Sequence, residues 1–251
     1  MITDLWFYFL AVPSVLVIGI SKGGFGASLG IFGVALMSLS VLPMTAAAIL
    51  LPLMCVMDIL SFWAYRRKWS RSNMRILIPA ALAGIVLGAL TFRYMNPAII
   101  RILVGFIGTG FSLSYFFRGQ YASKPQEANV VRGNFWGLIS GFTSFVSLSG
   151  GPPLSVYLLP QKLDKSLYVG TTVVYFFILN YAKIIPFALL GQFSTENLTT
   201  SLVLSPLVPA GVGLGLWLHK RVDASLFLKI CAGLIFMVSV RLLYDGFSKI
   251  L

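Results

Sequence analysis

Apolar residues gather in ten runs, at positions 5–20, 25–42, 44–65, 76–92, 98–117, 133–148, 152–159, 167–190, 198–218 and 226–244. Nine of them are 16 to 24 residues long, close to the roughly 20 residues a helix needs to cross the hydrocarbon core of a bilayer. Only 152–159 is too short. The pattern predicts an all-α polytopic membrane protein. A polar stretch at 118–132, containing Lys124-Pro125-Gln126-Glu127, separates five runs from five, as a linker between halves would. The expected organisation is a first transmembrane repeat at 1–117, a polar cytoplasmic linker at 118–132 and a second repeat at 133–251.

An offset of 127 residues supports duplication: it places Gly23-Gly24 on Gly150-Gly151, Pro79 on Pro206, Gly84 on Gly211 and Gly88 on Gly215. A doublet and a Pro-x4-Gly-x3-Gly pattern in one register are hard to obtain by chance, and small residues one turn apart let helices approach closely. Loop charge then sets orientation. Arg66, Arg67, Lys68, Arg71 and Arg75 mark the loop after the third run as cytoplasmic, whereas its mate, 191–197, carries only Glu196. Two parallel halves would put both loops on one side, so the halves read as inverted repeats. Lys162, Lys165, the linker's Arg118, Lys124 and Arg132, and His219-Lys220-Arg221 can all be cytoplasmic together, with the N-terminus outside. Arg93 and Arg101, in the loop between the fourth and fifth runs, weaken the bias. Inversion needs an odd number of crossings per half, so the first two runs of each half either both cross or form a re-entrant pair.

Ser21-Lys22-Gly23-Gly24 interrupts the first half, and Ser147-Leu148-Ser149-Gly150-Gly151-Pro152-Pro153 the second. Consecutive glycines weaken a helix and prolines suit the first turn of a new one, so both interruptions are expected to be broken or re-entrant helix starts at the Gly-Gly motifs. A helix start inside a membrane offers unpaired N–H groups to an anion, and two of them near the midplane would make a transporter's substrate site. Lys22 would add charge, and Ser21, Ser147 and Ser149 hydroxyl donors. The plainer alternative is that these glycines only permit close packing.

Two ionisable residues lie deep in predicted spans. Asp58 and Lys183 would each cost about 2.5–3.5 kcal/mol at a helix centre and should face protein or water. The repeat brings Asp58 near Asn180 or Lys183. Lys183 is expected to help hold an anion and Asn180 to donate hydrogen bonds; Asp58 either pairs with Lys183 or carries a coupled proton. A structural ion pair is the alternative.

Composition confirms the class: 58% of the 251 residues are hydrophobic, 10% are charged, and the mean hydropathy is +0.90, which excludes a soluble enzyme. The net charge of +12 reads as the positive-inside rule and not as nucleic-acid binding. Cys55 and Cys231 are too few for a disulfide framework, and with one histidine no metal site or cofactor is expected. Leu5 onwards, with no basic flank before it, reads as a mature membrane segment and not a cleaved signal. Trp63, Trp69, Trp136 and Trp217 lie near run ends, as interfacial anchors do. His219 sits at a helix end; an enzyme built on Ser149 and His219 would need the two to meet.

The chain resembles the TauE/SafE family, or toluene-sulfonate uptake permease family, of bacterial and archaeal membrane proteins. The likeness rests on Ser21-Lys22-Gly23-Gly24-Phe25-Gly26, Leu51-Pro52-Leu53 leading to Asp58, Tyr65-Arg66-Arg67-Lys68-Trp69, Gly150-Gly151-Pro152-Pro153, and Asn180-x-x-Lys183 with Leu190-Gly191-Gln192-Phe193. It implies transport of small sulfur-containing anions, such as sulfite or organosulfonates, or of other organic anions across the cytoplasmic membrane, by duplicated halves with about eight spans. The expectation is a secondary transporter, not an enzyme, whose partners are a small anion and the lipid bilayer. An uncoupled anion channel is the rival reading.

Overall fold

The computed structural model describes residues 1–26, 29–92, 94–117, 125–221 and 224–249. Arg93, Arg118, Lys124 and the side chain of Cys231 lie outside the described residues. Among those described there is helix and no strand. The order is α1 (Leu5–Ile20), a π-helical turn (Ser21–Phe25), α2 (Gly30–Met37), α3 (Pro43–Tyr65), α4 (Arg71–Phe92), α5 (Pro97–Phe117), α6 (Val130–Ser147), α7 (Gly151–Leu158), a 3-10 turn (Leu159–Gln161), α8 (Lys165–Leu189), α9 (Thr195–Leu204), α10 (Leu207–His219) and α11 (Ala224–Phe247).

Helix starts follow local chemistry. Asp4 caps α1 by accepting from the Trp6 amide at 2.9 Å, and Asp164 caps α8 by accepting from Ser166 and Leu167 at 3.0 and 3.1 Å. Four continuous helical segments among the described residues are long and apolar enough to cross a bilayer: Leu5–Phe25, Pro43–Tyr65, Arg71–Phe92 and Lys165–Leu189. A fifth is the pair Thr195–Leu204 and Leu207–His219, bent by 47°. That bend corrects the single run expected at 198–218: Pro206 stands at the break and has no N–H to continue the ladder. The run at 25–42 is also not one span. Gly26, at φ 63°, ends the π-helical turn in the left-handed region that glycine tolerates, and α2 covers only eight residues.

Large apolar side chains such as Phe9, Val86, Leu90, Ile185 and Leu202 are exposed, while Ser21, Lys22, Asp58, Ser144, Asn180 and Lys183 are buried. Apolar outside and polar inside suits a solvent of lipid. The main seams join helices distant in sequence: α1 lies on α10, α6 on α4, α3 on α8 and α5 on α11. Without a hydrophobic drive between helices in lipid, close backbone approach does the holding. A Cβ on Gly24 or Gly215 would come within 3.0 Å of backbone across the α1–α10 seam, and one on Gly84 or Gly141 within 3.0 Å of backbone across the α4–α6 seam.

Candidate functional site

Lys22 leaves the π-helical turn and pairs with Asp58 of α3, its Nζ donating to Oδ1. The other carboxylate oxygen, Oδ2, accepts from Asn180 Nδ2 of α8 at 2.5 Å. All three side chains are buried. The Lys22 ammonium also lies 5.9 Å from the centroid of the Phe176 ring on α8. Three elements from both halves thus converge on one carboxylate, and each of its oxygens has a donor.

Lys183 stands one turn beyond Asn180 on the same face of α8 and turns to α6. Its Nζ donates to the Ser144 carbonyl at 3.2 Å and to Ser144 Oγ at 3.0 Å. The side chain is wholly buried, and no carboxylate among the described residues lies within ion-pair distance of it. An ammonium has three donors, and both acceptors found are neutral. Among the described residues the cluster thus holds two buried lysines and one buried carboxylate.

Two further polar groups in this region lack partners: Ser21 Oγ and Asn180 Oδ1 are buried and accept or donate no hydrogen bond among the described residues. The same holds for Ser61 Oγ, one turn past Asp58 on α3. Buried polar atoms are paired in the great majority of cases, so these three unpartnered groups stand out.

The serines of the second interruption are engaged with each other. Ser147 Oγ pairs with Ser149 Oγ, and both reach the Thr143 carbonyl, at 3.1 and 3.3 Å. Leu148 between them has φ 51°, a left-handed conformation costly for a non-glycine residue. Ser140 Oγ donates to the Gly150 carbonyl at 2.7 Å, and α7 begins at Gly151.

The first interruption is built differently, and here the structure corrects the expectation. Gly23 and Gly24 do not start a helix; they lie inside the π-helical turn that prolongs α1, and the next helix starts at Gly30. Both glycines pack against Val212 and Gly215 of α10. The carbonyls, not the amides, carry the polar contacts: Gly23 accepts from Tyr65 OH at 3.0 Å, and the Gly24 carbonyl meets His219 Nδ1 at 2.5 Å. The other expectation to be revised is the partner of Asp58. Asn180 is one, as foreseen, but the cation is Lys22 and not Lys183.

Sequence reading missed Ser144. Its signal was the spacing Ser140, Ser144, Ser147 along α6, a stripe of serines at helical period. Ser149 and His219 are bound to different partners and not to each other. No group of three His, Cys, Asp or Glu side chains is placed to hold a metal among the described residues.

The family model described as Sulfite exporter TauE/SafE matches residues 11–242. The chain belongs to the TauE/SafE family. No curated protein and no solved structure matches it. The match runs from α1 into α11 and so takes in every residue of the Lys22–Asp58–Asn180–Lys183 cluster. Membership of TauE/SafE makes this a multi-pass membrane protein of a transporter family whose named cargo is a sulfur oxyanion, in keeping with a buried cluster of positive charge.

Proposed function

We propose that this TauE/SafE protein is a secondary transporter that moves a small sulfur oxyanion, sulfite or an organosulfonate, across the cytoplasmic membrane of a bacterium or archaeon by alternating access. The single observation that carries the reading is Lys183: a buried ammonium with neutral partners, next to a closed Lys22–Asp58–Asn180 network. A charge so placed is costly in a membrane interior unless an anion visits it. Lys183 and Asn180 are the first contacts of the anion in this account. Lys22 and Ser21 adjoin them, with Ser147 and Ser149 at the mouth of the second interruption. Gly23, Gly24, Gly150 and Gly151 shape the turns that admit it.

The moving parts are two inverted halves, 1–117 and 133–251, joined by a linker at 118–132. The reciprocal seams support this arrangement, since α1 of one half meets α10 of the other as α6 meets α4. Asp58 and Asn180 also stand equally far from the starts of α3 and α8, at Pro43 and Lys165. Rocking one half on the other would open the cluster to either side in turn. Asp58 is the group through which a proton would couple to transport, because protonating it releases Lys22.

Purified protein in liposomes tests this with radiolabelled sulfite under an imposed pH gradient. Accumulation beyond equilibrium is the expected result. Equilibration without accumulation would favour a channel, and no sulfite flux above that of empty liposomes would overturn the reading.

A further inference from the structure

The charges around the cluster count in a way that bears on which ionic form of the anion is carried, and this rests on the reading just given. Among the described residues the buried charged side chains are Lys22, Asp58 and Lys183. Asp58 has both oxygens occupied, by Lys22 and by Asn180. When protonated, Lys183 is one formal positive charge with no carboxylate partner among the described residues. A singly charged anion brings the cluster to neutrality; a doubly charged one reverses the sign and places excess negative charge beside Asp58, where the medium screens it poorly.

Hydrogen bonding points the same way. Asn180 turns its Nδ2 to the carboxylate, which leaves Oδ1, an acceptor, buried and without a donor. An oxyanion stripped of protons has only lone pairs to offer that oxygen. One that keeps a proton donates to it while its other oxygens accept from Lys183. Ser21 and Ser61, also unpartnered, each carry a hydroxyl that can donate to the same guest.

We infer that the site takes its oxyanion in the singly charged state, as hydrogensulfite and not as the sulfite dianion, and selects for one negative charge before it selects for shape. The groups whose charge or ionisation acts on Asp58 are Lys22 on the π-helical turn, Lys183 and Tyr181 on α8, and Cys55 on α3 itself. No other charged side chain is buried among the described residues of the helices packed on α3. Asp58 therefore sets the count: with it ionised the site offers one positive charge, and with it neutral the site offers two.

Binding of sulfite, methanesulfonate and sulfate to the purified chain, measured calorimetrically across a pH series spanning the second ionisation of sulfite, tests this. Methanesulfonate, always a monoanion and without a proton for Asn180 Oδ1, reports charge alone together with any titration of the protein, and the fall expected of sulfite is reckoned beyond it. Sulfite affinity, reckoned on total sulfite, should fall about tenfold per pH unit above that ionisation, with uptake of one proton per anion seen as a buffer-dependent heat. Sulfate should bind at least about tenfold more weakly than methanesulfonate. Sulfite affinity that stays level or rises with pH overturns the inference, and so does a fall shared equally by methanesulfonate, which would place the titration on the protein alone. Failure of all three anions to bind at any pH would instead overturn the proposed function. In Asp58→Asn the ratio of sulfate to methanesulfonate affinity should rise at least about tenfold, and an unchanged ratio counts against the inference. Should that variant not fold, the pH series on the unaltered chain decides by itself.

Discussion

Lys22 precedes Gly23-Gly24, and Ser149 precedes Gly150-Gly151; the two doublets lie 127 residues apart. In the first, the helix carries on through the doublet as a π-helical turn, the glycines press against α10, and the exposed carbonyls are taken by Tyr65 and His219. In the second, the helix stops, Leu148 adopts a left-handed backbone, two serines bond to each other, and a new helix begins at Gly151. The same contrast runs on into the following long helices. Asp58 on α3 answers Asn180 on α8, each fifteen residues after the first residue of its helix, and Ser61 answers Lys183, each eighteen after. Matching positions along these two long helices thus carry unlike groups. Lys22 and Asp58 form an ion pair, whereas Lys183 meets only Ser144 among the described residues. In the proposed carrier the matching frame would permit two alternating openings and the odd lysine would attract the cargo.

The sharpest way to break the comparison is to unpair the first half. Lys22→Met leaves Asp58 buried without its cation and should destabilise the protein by about 3–5 kcal/mol, read as a lower melting temperature in detergent. Adding Asp58→Asn to it should restore most of that loss, and no restoration would mean the pair is not what Lys22 contributes. The glycine seams come next. Gly24→Ala puts a methyl against the Gly215 backbone, which cannot yield as a side chain can, for a loss of about 1–3 kcal/mol. Gly213→Ala, on the same helix as Gly215 but facing open space, should be neutral or gain up to about 1 kcal/mol from helix propensity. Equal effects at the two positions would contradict close packing as the reason for Gly24. Smaller still is Ser149→Ala, which removes one hydroxyl pair and should cost about 0.5–1.5 kcal/mol with a modest change in sulfite affinity. His219→Ala should leave sulfite flux intact; its loss would revive a role for the histidine beyond the Gly24 carbonyl.

Long apolar runs were legible as helices because their lengths suit a span, and the helices continue through their internal prolines, Pro13, Pro52 and Pro186: α1, α3 and α8 fall within two residues of the runs at 5–20, 44–65 and 167–190. The two runs that misled, 25–42 and 198–218, share a cause. Hydropathy registers the apolar side chains around Gly26 and Pro206 and is blind to the backbone break those residues make. The membership of the cluster was also legible, since Lys22, Asp58, Asn180 and Lys183 are polar where an apolar residue would be cheaper in a membrane. Its wiring was not. Whether Asp58 meets Lys22 or Lys183 depends on how far the π-helical turn carries Lys22 towards α3, and no spacing along the chain encodes that. Ser144 was overlooked because a serine on a membrane helix commonly bonds its own backbone; only the arrival of Lys183 from α8 gives it a further task.

The central claim is that Lys183 is the charge on which the anion rests. Equilibrium binding of radiolabelled sulfite to the purified chain and to Lys183→Met tests it most directly. The account predicts that the substitution weakens binding by about 10- to 100-fold, the worth of a charge-assisted hydrogen bond, while helix content and detergent melting temperature are kept or raised, because a buried unpaired ammonium has been replaced by an apolar side chain of similar length. Sulfite bound equally well by both proteins would contradict it.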